Sequence, residues 1–411
     1  MPSISPSEQQ IVDGLLKFVD QEVVPIQKSL GAAFDNPRLY FQEDGRESQA
    51  VTEARRKARI ASAEAGYYTM FCPTELGGAG LGTRQYFLCW EALATRYGAP
   101  INQFAYFILS SFSSGPSDVW VHASDTLKEE ILPHLASGRY QGGFGLTEPD
   151  AGSDSWMMKT TAIRDGDDWV INGTKQWTSW SPTADFILVF AVTDKELVAQ
   201  RRGGITCFYV PTNSPGYKFE SVLKILGQIG GDEGILSFTN VRVPDRYRIG
   251  KVGEGFKVAM SGVRHGRLNH AGRSLGLARW ALEKTIDYAR LRKTFGKTLS
   301  QHQTIQNYLA ECAIKLYAGR SMALDCAEKA DRGQDVRGEI SMLKLFCTNA
   351  AWEIVDTCMQ IHGGMGLANE TRLYDALFVL RVMRVAEGAT EIQMRSVGQM
   401  LADGRLDLSF P

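Results

Sequence analysis

The spacing of apolar residues divides the chain into three regions with different periodicity. Residues 7–135 repeat their apolar positions with helical spacing. Within them, Thr126-Leu-Lys-Glu129 has the order of a capping box and predicts the start of a helix that runs to Leu135. Residues 34–50 are polar and weakly periodic, so we expect a loop or an insertion there.

Residues 140–250 change to short β-branched and aromatic runs separated by turn signals. Asp165-Gly-Asp-Asp168 and Asn172-Gly173 predict tight turns. Phe186–Val192 and Ile205–Val210 are apolar throughout and predict buried strands. The region is therefore predicted to form a small β-domain, a barrel or a sandwich.

From Phe256 onward, helical spacing returns in four long segments. They cover roughly residues 256–293, 301–330, 336–362 and 372–402, with breaks at Thr294–Lys297, Asp331–Gln334 and His362–Gly366. Four long helices joined by short loops predict a bundle. The predicted fold class is α+β, with an N-terminal helical domain in residues 1–138, a middle β-domain in 139–250 and a C-terminal four-helix bundle in 251–411.

Composition and charge are those of an ordinary globular protein. Hydrophobic residues make up 44% of the 411 residues, and the net charge of -1 argues against a nucleic-acid partner. Seven cysteines without Cys-x-x-Cys spacing predict a reducing compartment with neither disulfides nor zinc. The N-terminus lacks the pattern of a signal peptide, and no apolar run approaches the roughly 18–20 residues of a membrane span. We therefore expect a cytoplasmic location.

Glu387 is the candidate catalytic residue that the pattern singles out. It lies between Ala386 and Gly388 in a segment rich in Val, Ala and Ile. A carboxylate in such surroundings is either solvated on a helix surface or buried for a purpose. Burial disfavours the charged form and raises the pKa, so a buried Glu387 is expected to be a base suited to a weak carbon acid.

Two further segments carry side chains suited to a flat cofactor. In Phe144–Ser153, hydroxyl groups and glycine N–H groups can bind a heteroaromatic ring or a pyrophosphate, although the segment also fits an ordinary turn. In Asn172–Ser179, Trp177 stands beside small hydroxyl residues, although a lone tryptophan on a strand is more often part of a core.

Basic and glycine-rich segments of the helical region have two interpretations each. Arg290–Lys297, with His302 and Gln303, can grip a diphosphate and stack an adenine, or can simply favour the dipole of a helix end. Gln360–Gly366 can approach a phosphate or end a helix. Gly77–Gly82 lacks the strand–helix context of a dinucleotide fingerprint and predicts a loop. Neither a metal-ligand spacing of the histidines nor a Gly-x-Ser-x-Gly motif is present.

Taken together, these segments resemble the acyl-CoA dehydrogenases. The matching motifs stand in the family's order and span nearly the whole chain. They are Pro73–Gly82, Leu146–Ser153, Ile171–Trp177, Gly253–Phe256, Arg292–Gly296, Gln360–Gly366 and Ala386–Gln393. The resemblance implies FAD as cofactor, an acyl-CoA substrate, an electron-transferring flavoprotein as electron acceptor and a homotetramer or homodimer. It also implies α,β-dehydrogenation to a trans-2-enoyl-CoA, with flavin N5 as hydride acceptor, as in fatty acid β-oxidation.

The resemblance also assigns roles to individual residues. Glu387 is implied as the α-proton base, and Ser153, Arg267 and Gly388 as substrate contacts. The implied FAD contacts are Phe144, Leu146, Thr147, Gly152, Ser153, Trp177, Ser179, Arg292, Thr294, Phe295, Gln303, Gln360, Gly363, Gly364 and Glu391, some of them across a subunit interface. Phe104, Tyr106 and Phe107 are candidate liners of the acyl pocket.

Some relatives carry their base on the first helix of the bundle. Here residues 261–270 contain no carboxylate, and Gly266 lies in the matching stretch, which favours Glu387. The start of that helix is instead strongly basic, with Arg264, His265, Arg267, His270 and Arg273. Four alternatives stay open: an acyl-CoA oxidase, a dehydrogenase of carrier-protein thioesters, a flavin monooxygenase or nitroalkane-oxidising relative, and a non-catalytic helical scaffold.

Overall fold

The computed structural model describes residues 4–98, 103–110 and 115–406, and the side chains of residues 263 and 264 lie outside this description. The N-terminal region is helical, as predicted. Its helices are α1 (Pro6–Phe18), α2 (Val24–Lys28), α3 (Ala32–Asp35), α4 (Pro37–Tyr40), α5 (Gln49–Glu64), α6 (Thr83–Tyr97) and α7 (Asp125–Ala136).

An eight-stranded mixed sheet follows, interrupted by the short helix α8 (Lys195–Ala199). Its strands are β1 (Gly142–Gly145), β2 (Thr161–Asp165), β3 (Asp168–Ser179), β4 (Phe186–Val192), β5 (Ile205–Pro211), β6 (Tyr217–Val222), β7 (Glu233–Pro244) and β8 (Arg248–Ile249). The order across the sheet is β6-β7-β3-β2-β4-β5-β8, and β1 pairs in parallel with β4. All seven residues of β4 are buried, which confirms the predicted buried strand.

Among the described residues, the C-terminal region contains five α-helices, because the last of the four predicted segments forms two. They are α9 (Gly255–Leu291), α10 (Gln303–Asp331), α11 (Arg337–His362), α12 (Leu373–Met383) and α13 (Thr390–Ala402). A hairpin of β9 (Lys293–Thr294) and β10 (Lys297–Thr298) joins the first two. The predicted fourth helix is broken because Glu387 and Gly388 have left-handed backbones, which no α-helix continues through.

Three local predictions differ from the structure. The N-cap of α7 is Ser124, whose hydroxyl accepts from the N–H of Leu127, so the helix begins before the predicted capping box. Residues 34–50 are not a plain loop, since they contain the end of α3, all of α4 and the start of α5. Asn172-Gly173 is not a turn but lies inside β3, where the register with β7 shifts.

The backbone at position 173 requires a glycine. Its φ is +150°, and a β-carbon there would overlap the side chain and Cα of Thr160. The irregularity in β3 therefore depends on the close approach of Thr160 to bare backbone.

Within the described residues, the chain forms two compact units. The helical unit draws on Met1–Val19, Leu81–Tyr106 and Arg264–Pro411, and the sheet unit on Asp20–Gly80 and Phe107–Val263. The sheet unit packs an apolar core on each face of β4, with Phe186, Leu188 and Phe190 in one and Ile187 and Val189 in the other. No helix among the described residues is long and apolar enough to cross a membrane.

Candidate active site

Glu387 lies in the turn that separates α12 from α13. Its φ is +54°, a left-handed conformation that costs a residue with a β-carbon about 1–2 kcal/mol. Gly388 follows with φ +94°, where glycine has no steric penalty. A conformation of this kind persists only when the surroundings enforce it.

Lys344 of α11 and Gln393 of α13 hold this turn from both sides. The ammonium of Lys344 donates to the carbonyl oxygens of Ala386 and Gly388, each at 2.5 Å. The amide of Gln393 donates to the carbonyl oxygen of Gly388 at 3.0 Å. Lys344 is 1% exposed and Gln393 is fully buried. The carbonyl groups on both sides of Glu387 are thus fixed by buried donors.

The carboxylate of Glu387 projects onto the face of α9. Its oxygens occupy the space that a β-carbon at Gly266 would need. Its Oε1 lies 3.5 Å from Nε2 of His270, which follows Gly266 by one helical turn on α9. The Glu387 side chain is 28% exposed and the His270 side chain 12%. The site accordingly holds a carboxylate that is largely enclosed but still accessible from one side.

Two atoms of this pair have no hydrogen-bond partner among the described residues. They are Oε2 of Glu387 and Nδ1 of His270, and both are buried. The backbone N–H of Glu387 likewise donates to no described residue. Unsatisfied polar groups of this kind are costly in a structural core and are common where a ligand completes the site.

The prediction that the pKa of Glu387 is raised was wrong. Burial does raise it, but the charges of His270, Lys344 and Arg267 outweigh burial, so the pKa lies below its ordinary value. These three groups come from two different helices, α9 and α11. The carboxylate is therefore ionised at neutral pH, in a pocket with more positive than negative groups.

Arg267 and Gly388, both predicted to contact substrate, lie side by side. A β-carbon on Gly388 would stand 3.6 Å from a terminal nitrogen of Arg267. The guanidinium is 3.4 Å from the hydroxyl of Ser341, and its Nε is buried without a partner among the described residues. Burial lowers the pKa of Arg267, partly offset by Glu387.

Aromatic side chains line α6 and the 104–106 turn beside this site. Tyr86 and Trp90 are buried with their rings 6.2 Å apart, and Trp90 stacks on Tyr106. The guanidinium of Arg273 lies 4.4 Å from the centre of the Tyr106 ring. Of the other two candidate pocket liners, Phe104 is also buried in the helical unit.

Phe107, the remaining candidate liner, belongs to the sheet unit. Arg55 covers its ring at 3.7 Å and also lies over Trp180. Arg55 pairs with the buried carboxylate of Glu47. Phe107 is thus engaged by a buried ion pair inside its own unit.

The sheet unit brings the predicted ring-binding residues of two segments together. The N–H of Gln176 donates to the carbonyl oxygen of Thr147 at 2.9 Å, which ties β3 to the segment after β1. Trp177 has φ +59° and is 48% exposed, so it is not a core tryptophan. The hydroxyls of Thr147, Ser153 and Ser179 bond to no described residue. An exposed indole beside unbonded hydroxyls suits a flat, polar heterocycle.

The remaining residues of this segment are arranged around the same strands. Phe144 of β1 packs on Phe190 at 4.7 Å, and Leu146 is half-buried against the core of the sheet unit. Gly152 is exposed, with open space where a β-carbon would stand. Backbone can therefore approach a ligand closely at Gly152.

A buried ion pair between Lys175 and Glu148 supports the segment that follows β1. The ammonium of Lys175 lies 2.7 Å from Oε1 of Glu148 and donates to the carbonyl oxygen of Leu146 at 3.1 Å. Glu148 also accepts from the backbone N–H groups of Lys159 and Thr160. Burial lowers the pKa of Lys175 to about 8, and the charge of Lys175 helps to hold the pKa of Glu148 low despite burial.

The predicted cofactor residues of the helical unit are exposed. In the hairpin after α9, Thr294 lies 3.4 Å from Nε2 of His302, and the Phe295 ring is 95% exposed at φ +49°. The others lie at exposed helix ends, namely Arg292, Gln303, Gln360, Gly363, Gly364 and Glu391.

The sequence analysis missed the two closest partners of Glu387. The sequence predicts His270 only as part of a basic helix start, because periodicity does not reveal a contact between residues so far apart in the chain. The sequence around Lys344 does carry a signal. Lys344 stands alone between Leu343 and Leu345 on an apolar helix, the same kind of anomaly that identified Glu387.

Comparison with protein families matches nearly the whole chain. The model described as Acyl-CoA dehydrogenase, N-terminal domain, matches residues 5–139. The model for the middle domain of the same family matches residues 143–241. The model for its C-terminal domain matches residues 253–402.

Individual relatives agree with that match. The probable acyl-CoA dehydrogenase YngJ of Bacillus subtilis is 31% identical over 395 residues, covering 96% of this chain and 98% of the relative. The caffeyl-CoA reductase-Etf complex subunit CarC of Acetobacterium woodii is 31% identical, covering 82% of this chain and 88% of CarC. A glutaryl-CoA dehydrogenase of Mycobacterium smegmatis, solved in complex with FADH2, superposes with a TM-score of 0.81 at 28% identity, over 99% of this chain and 97% of that one.

Proposed function

The chain belongs to the acyl-CoA dehydrogenase family, FAD-dependent oxidoreductases that act on CH–CH bonds, and we propose that it converts an acyl-CoA to the trans-2-enoyl-CoA with Glu387 as the α-proton base. The observation that carries this proposal is the environment of Glu387. An ionised carboxylate is held on an enforced left-handed turn, 28% exposed, with one oxygen and its own N–H unbonded among the described residues.

The carboxylate and the backbone N–H of Glu387 suit the two needs of α-proton removal. The partly exposed carboxylate can accept the proton. The backbone N–H of Glu387 can donate to the thioester carbonyl oxygen as negative charge develops there, which by analogy with oxyanion holes is worth roughly 3–4 kcal/mol. One residue thus supplies both a base and a hydrogen-bond donor. The hydrogen bonds from Lys344 to the carbonyl oxygens of Ala386 and Gly388, here called the Lys344 clamp, hold the two groups in position.

The low pKa of Glu387 makes the proton transfer harder by about 1.4 kcal/mol for each pKa unit. The groups that lower it, His270, Lys344 and Arg267, also stabilise the enolate, because the enolate forms next to the same carboxylate. A preorganised positive field of this kind favours the transition state over the uncharged thioester. We propose that this field, rather than a raised pKa, makes the reaction feasible.

FAD fits the unbonded hydroxyls and exposed indole of the sheet unit and, when bound, supplies the acceptor for the β-hydride. Phe144, Leu146, Thr147, Gly152, Ser153, Trp177 and Ser179 would hold its ring. Arg292, Thr294, Phe295, Gln303, Gln360, Gly363, Gly364 and Glu391 would hold its diphosphate and adenosine, some of them from a second copy of the chain in a homotetramer. Ser153, Arg267 and Gly388 would contact the substrate.

An electron-transferring flavoprotein is the proposed electron acceptor, because CarC, a relative of similar length, is named as a subunit of a complex with one. CarC is also named as a reductase. The same residues serve either direction, since Glu387 would return its proton to the α-carbon in the reverse reaction. The redox partner therefore sets the direction, and peroxide formation in air would reveal the alternative of an acyl-CoA oxidase.

The direct test is anaerobic bleaching of the bound flavin by a panel of straight, branched and cyclic acyl-CoAs. The wild-type protein should be bleached by at least one of them. Glu387→Gln should retain flavin and lose bleaching by the same substrate. A Gln variant that bleaches at nearly the wild-type rate would show that Glu387 is not the base, and a colourless protein that FAD does not reconstitute would favour the scaffold alternative.

A further inference from the structure

His270 is the side chain that stands closest to the reacting carboxylate from a neighbouring helix. Its Nε2 lies 3.5 Å from Oε1 of Glu387, and its ring is 12% exposed. Histidine is costly to enclose in this way unless it has a partner, and the partner here is Glu387. Oε2 of Glu387 is buried without a hydrogen-bond partner among the described residues and lies against the backbone of α9 at Gly266.

We infer that His270 is a positioning residue for the proposed base: its contact with Oε1 of Glu387 holds the carboxylate in place on α9, in the space that Gly266 leaves free. This inference rests on the proposed function of Glu387.

The geometry favours one orientation of the carboxylate. Gly266 provides no side chain, so the carboxylate packs on bare helix backbone on one side and meets the imidazole on the other. The Lys344 clamp fixes the backbone of Glu387 but touches no carboxylate oxygen at hydrogen-bond distance. Among the described residues, His270 is thus the side chain that can fix the end of the Glu387 side chain.

The contact between His270 and Glu387 also has an electrostatic effect, and other titratable groups surround the pair. From α9 itself these are Arg267 and Arg273, from α11 Lys344, and from α6 the phenol of Tyr86. After burial, His270 is the largest influence on the pKa of Glu387, and it acts to lower it. Lys344 and Arg267 act in the same direction but less strongly, so removal of His270 should leave a measurable change.

The test follows α-hydrogen exchange with D2O, using a thioester in which sulfur replaces the β-carbon so that no hydride can leave. His270→Asn retains a hydrogen-bond donor without the charge, and His270→Leu removes both. Both variants should raise the pKa of Glu387, because a group that lowers it has been removed. The acid limb of the exchange profile should then move up by about one pH unit or more. At a pH below the wild-type midpoint, exchange should fall about tenfold for each unit.

Positioning is separated from charge by comparing the two variants above the acid limb. His270→Asn should exchange at close to the wild-type rate there, whereas His270→Leu should be slower with an unchanged KM, because its carboxylate is no longer held. His265→Asn is the matched control, since His265 lies on the same helix and packs edge-to-face on Tyr86. It should retain the wild-type profile.

Wild-type profiles in both His270 variants, with flavin content and thermal unfolding unchanged, would overturn the inference and leave Glu387 as the base. Absence of exchange in the wild-type protein itself would overturn the proposed function, and the inference with it. The two failures are therefore distinguishable.

Discussion

The carboxylate of Glu387 occupies the space that a side chain on Gly266 would need. We therefore expect Gly266→Ala to push the carboxylate off α9 while leaving most of the fold intact. The rate of flavin bleaching by substrate should fall by tenfold or more, since small misplacements of catalytic groups have large effects.

Gly398→Ala is the control for this prediction. Gly398 lies in α13 with nothing within 4 Å of a β-carbon, so alanine there should leave bleaching unchanged. Wild-type bleaching in Gly266→Ala would show that the packing of Glu387 on α9 is unimportant.

Lys344 should stabilise both the turn and the activity. Lys344→Met leaves the carbonyl oxygens of Ala386 and Gly388 without their buried donor, at about 1–3 kcal/mol for an unsatisfied buried group. We expect a lower free energy of unfolding and a lower kcat. Lys315→Met is the control, because Lys315 forms a surface pair with Glu353 and should change stability by about 1 kcal/mol or less. Equal losses in the free energy of unfolding for the two substitutions, measured with urea, would contradict the role of Lys344 in holding the turn.

The effect of Lys344 should also depend on pH in a defined direction. Burial lowers the pKa of Lys344 to about 8, below the ordinary value of 10.5. Between these values the unfolded chain binds more protons than the folded one, so stability rises with pH. The stability difference between wild type and Lys344→Met should therefore grow from pH 7 to pH 10. A constant difference across that range would mean that Lys344 is not titrating in the folded protein.

The Lys175–Glu148 pair should be essential to the sheet unit. Removing one partner of a buried ion pair typically costs about 3–5 kcal/mol, so Lys175→Met should strongly destabilise the protein and loosen the backbone at Leu146. Flavin retention should fall as well. Lys159→Met provides the control, since Lys159 pairs with Asp150 at an exposed position. Urea unfolding and flavin absorbance after gel filtration would measure both effects, and equal losses in the two variants would contradict this role.

Trp177 should contribute to flavin retention without supporting the fold. Its ring is 48% exposed, so Trp177→Ala should change the free energy of unfolding of the flavin-free protein little. If the ring contacts the flavin, the dissociation constant should rise about tenfold, in line with an aromatic contact of roughly 1.5 kcal/mol. Trp177→Phe should restore most of the affinity. Unchanged flavin affinity in the Ala variant would remove Trp177 from the cofactor site.

The sequence predicted the type of most elements because their periodicity is local. Phe186–Val192 is apolar throughout and is a fully buried strand. The break at Glu387 could not be read in the same way, because apolar spacing continues through it and only the backbone reveals the left-handed turn. The Asn172-Gly173 signal was misread for a related reason: the close approach of Thr160 that makes it an irregular strand comes from outside the segment.

The chemistry of the site was predicted less completely than its location. Glu387 stood out because a carboxylate is unusual among Val, Ala and Ile. The sign of its pKa shift depends on His270, Lys344 and Arg267, which lie on helices far away in sequence. No local pattern brings these residues together, so a prediction from burial alone gave the wrong direction.

Removal of the α-proton by Glu387 can be followed by α-hydrogen exchange with D2O in Glu387→Gln. The substrate is a thioester with sulfur in place of the β-carbon, and the flavin spectrum confirms that the variant is loaded. The wild-type protein should exchange the α-hydrogens rapidly, and Glu387→Gln should slow the exchange by at least a thousandfold, about 4 kcal/mol in the barrier. Exchange in the Gln variant at close to the wild-type rate would contradict the assignment.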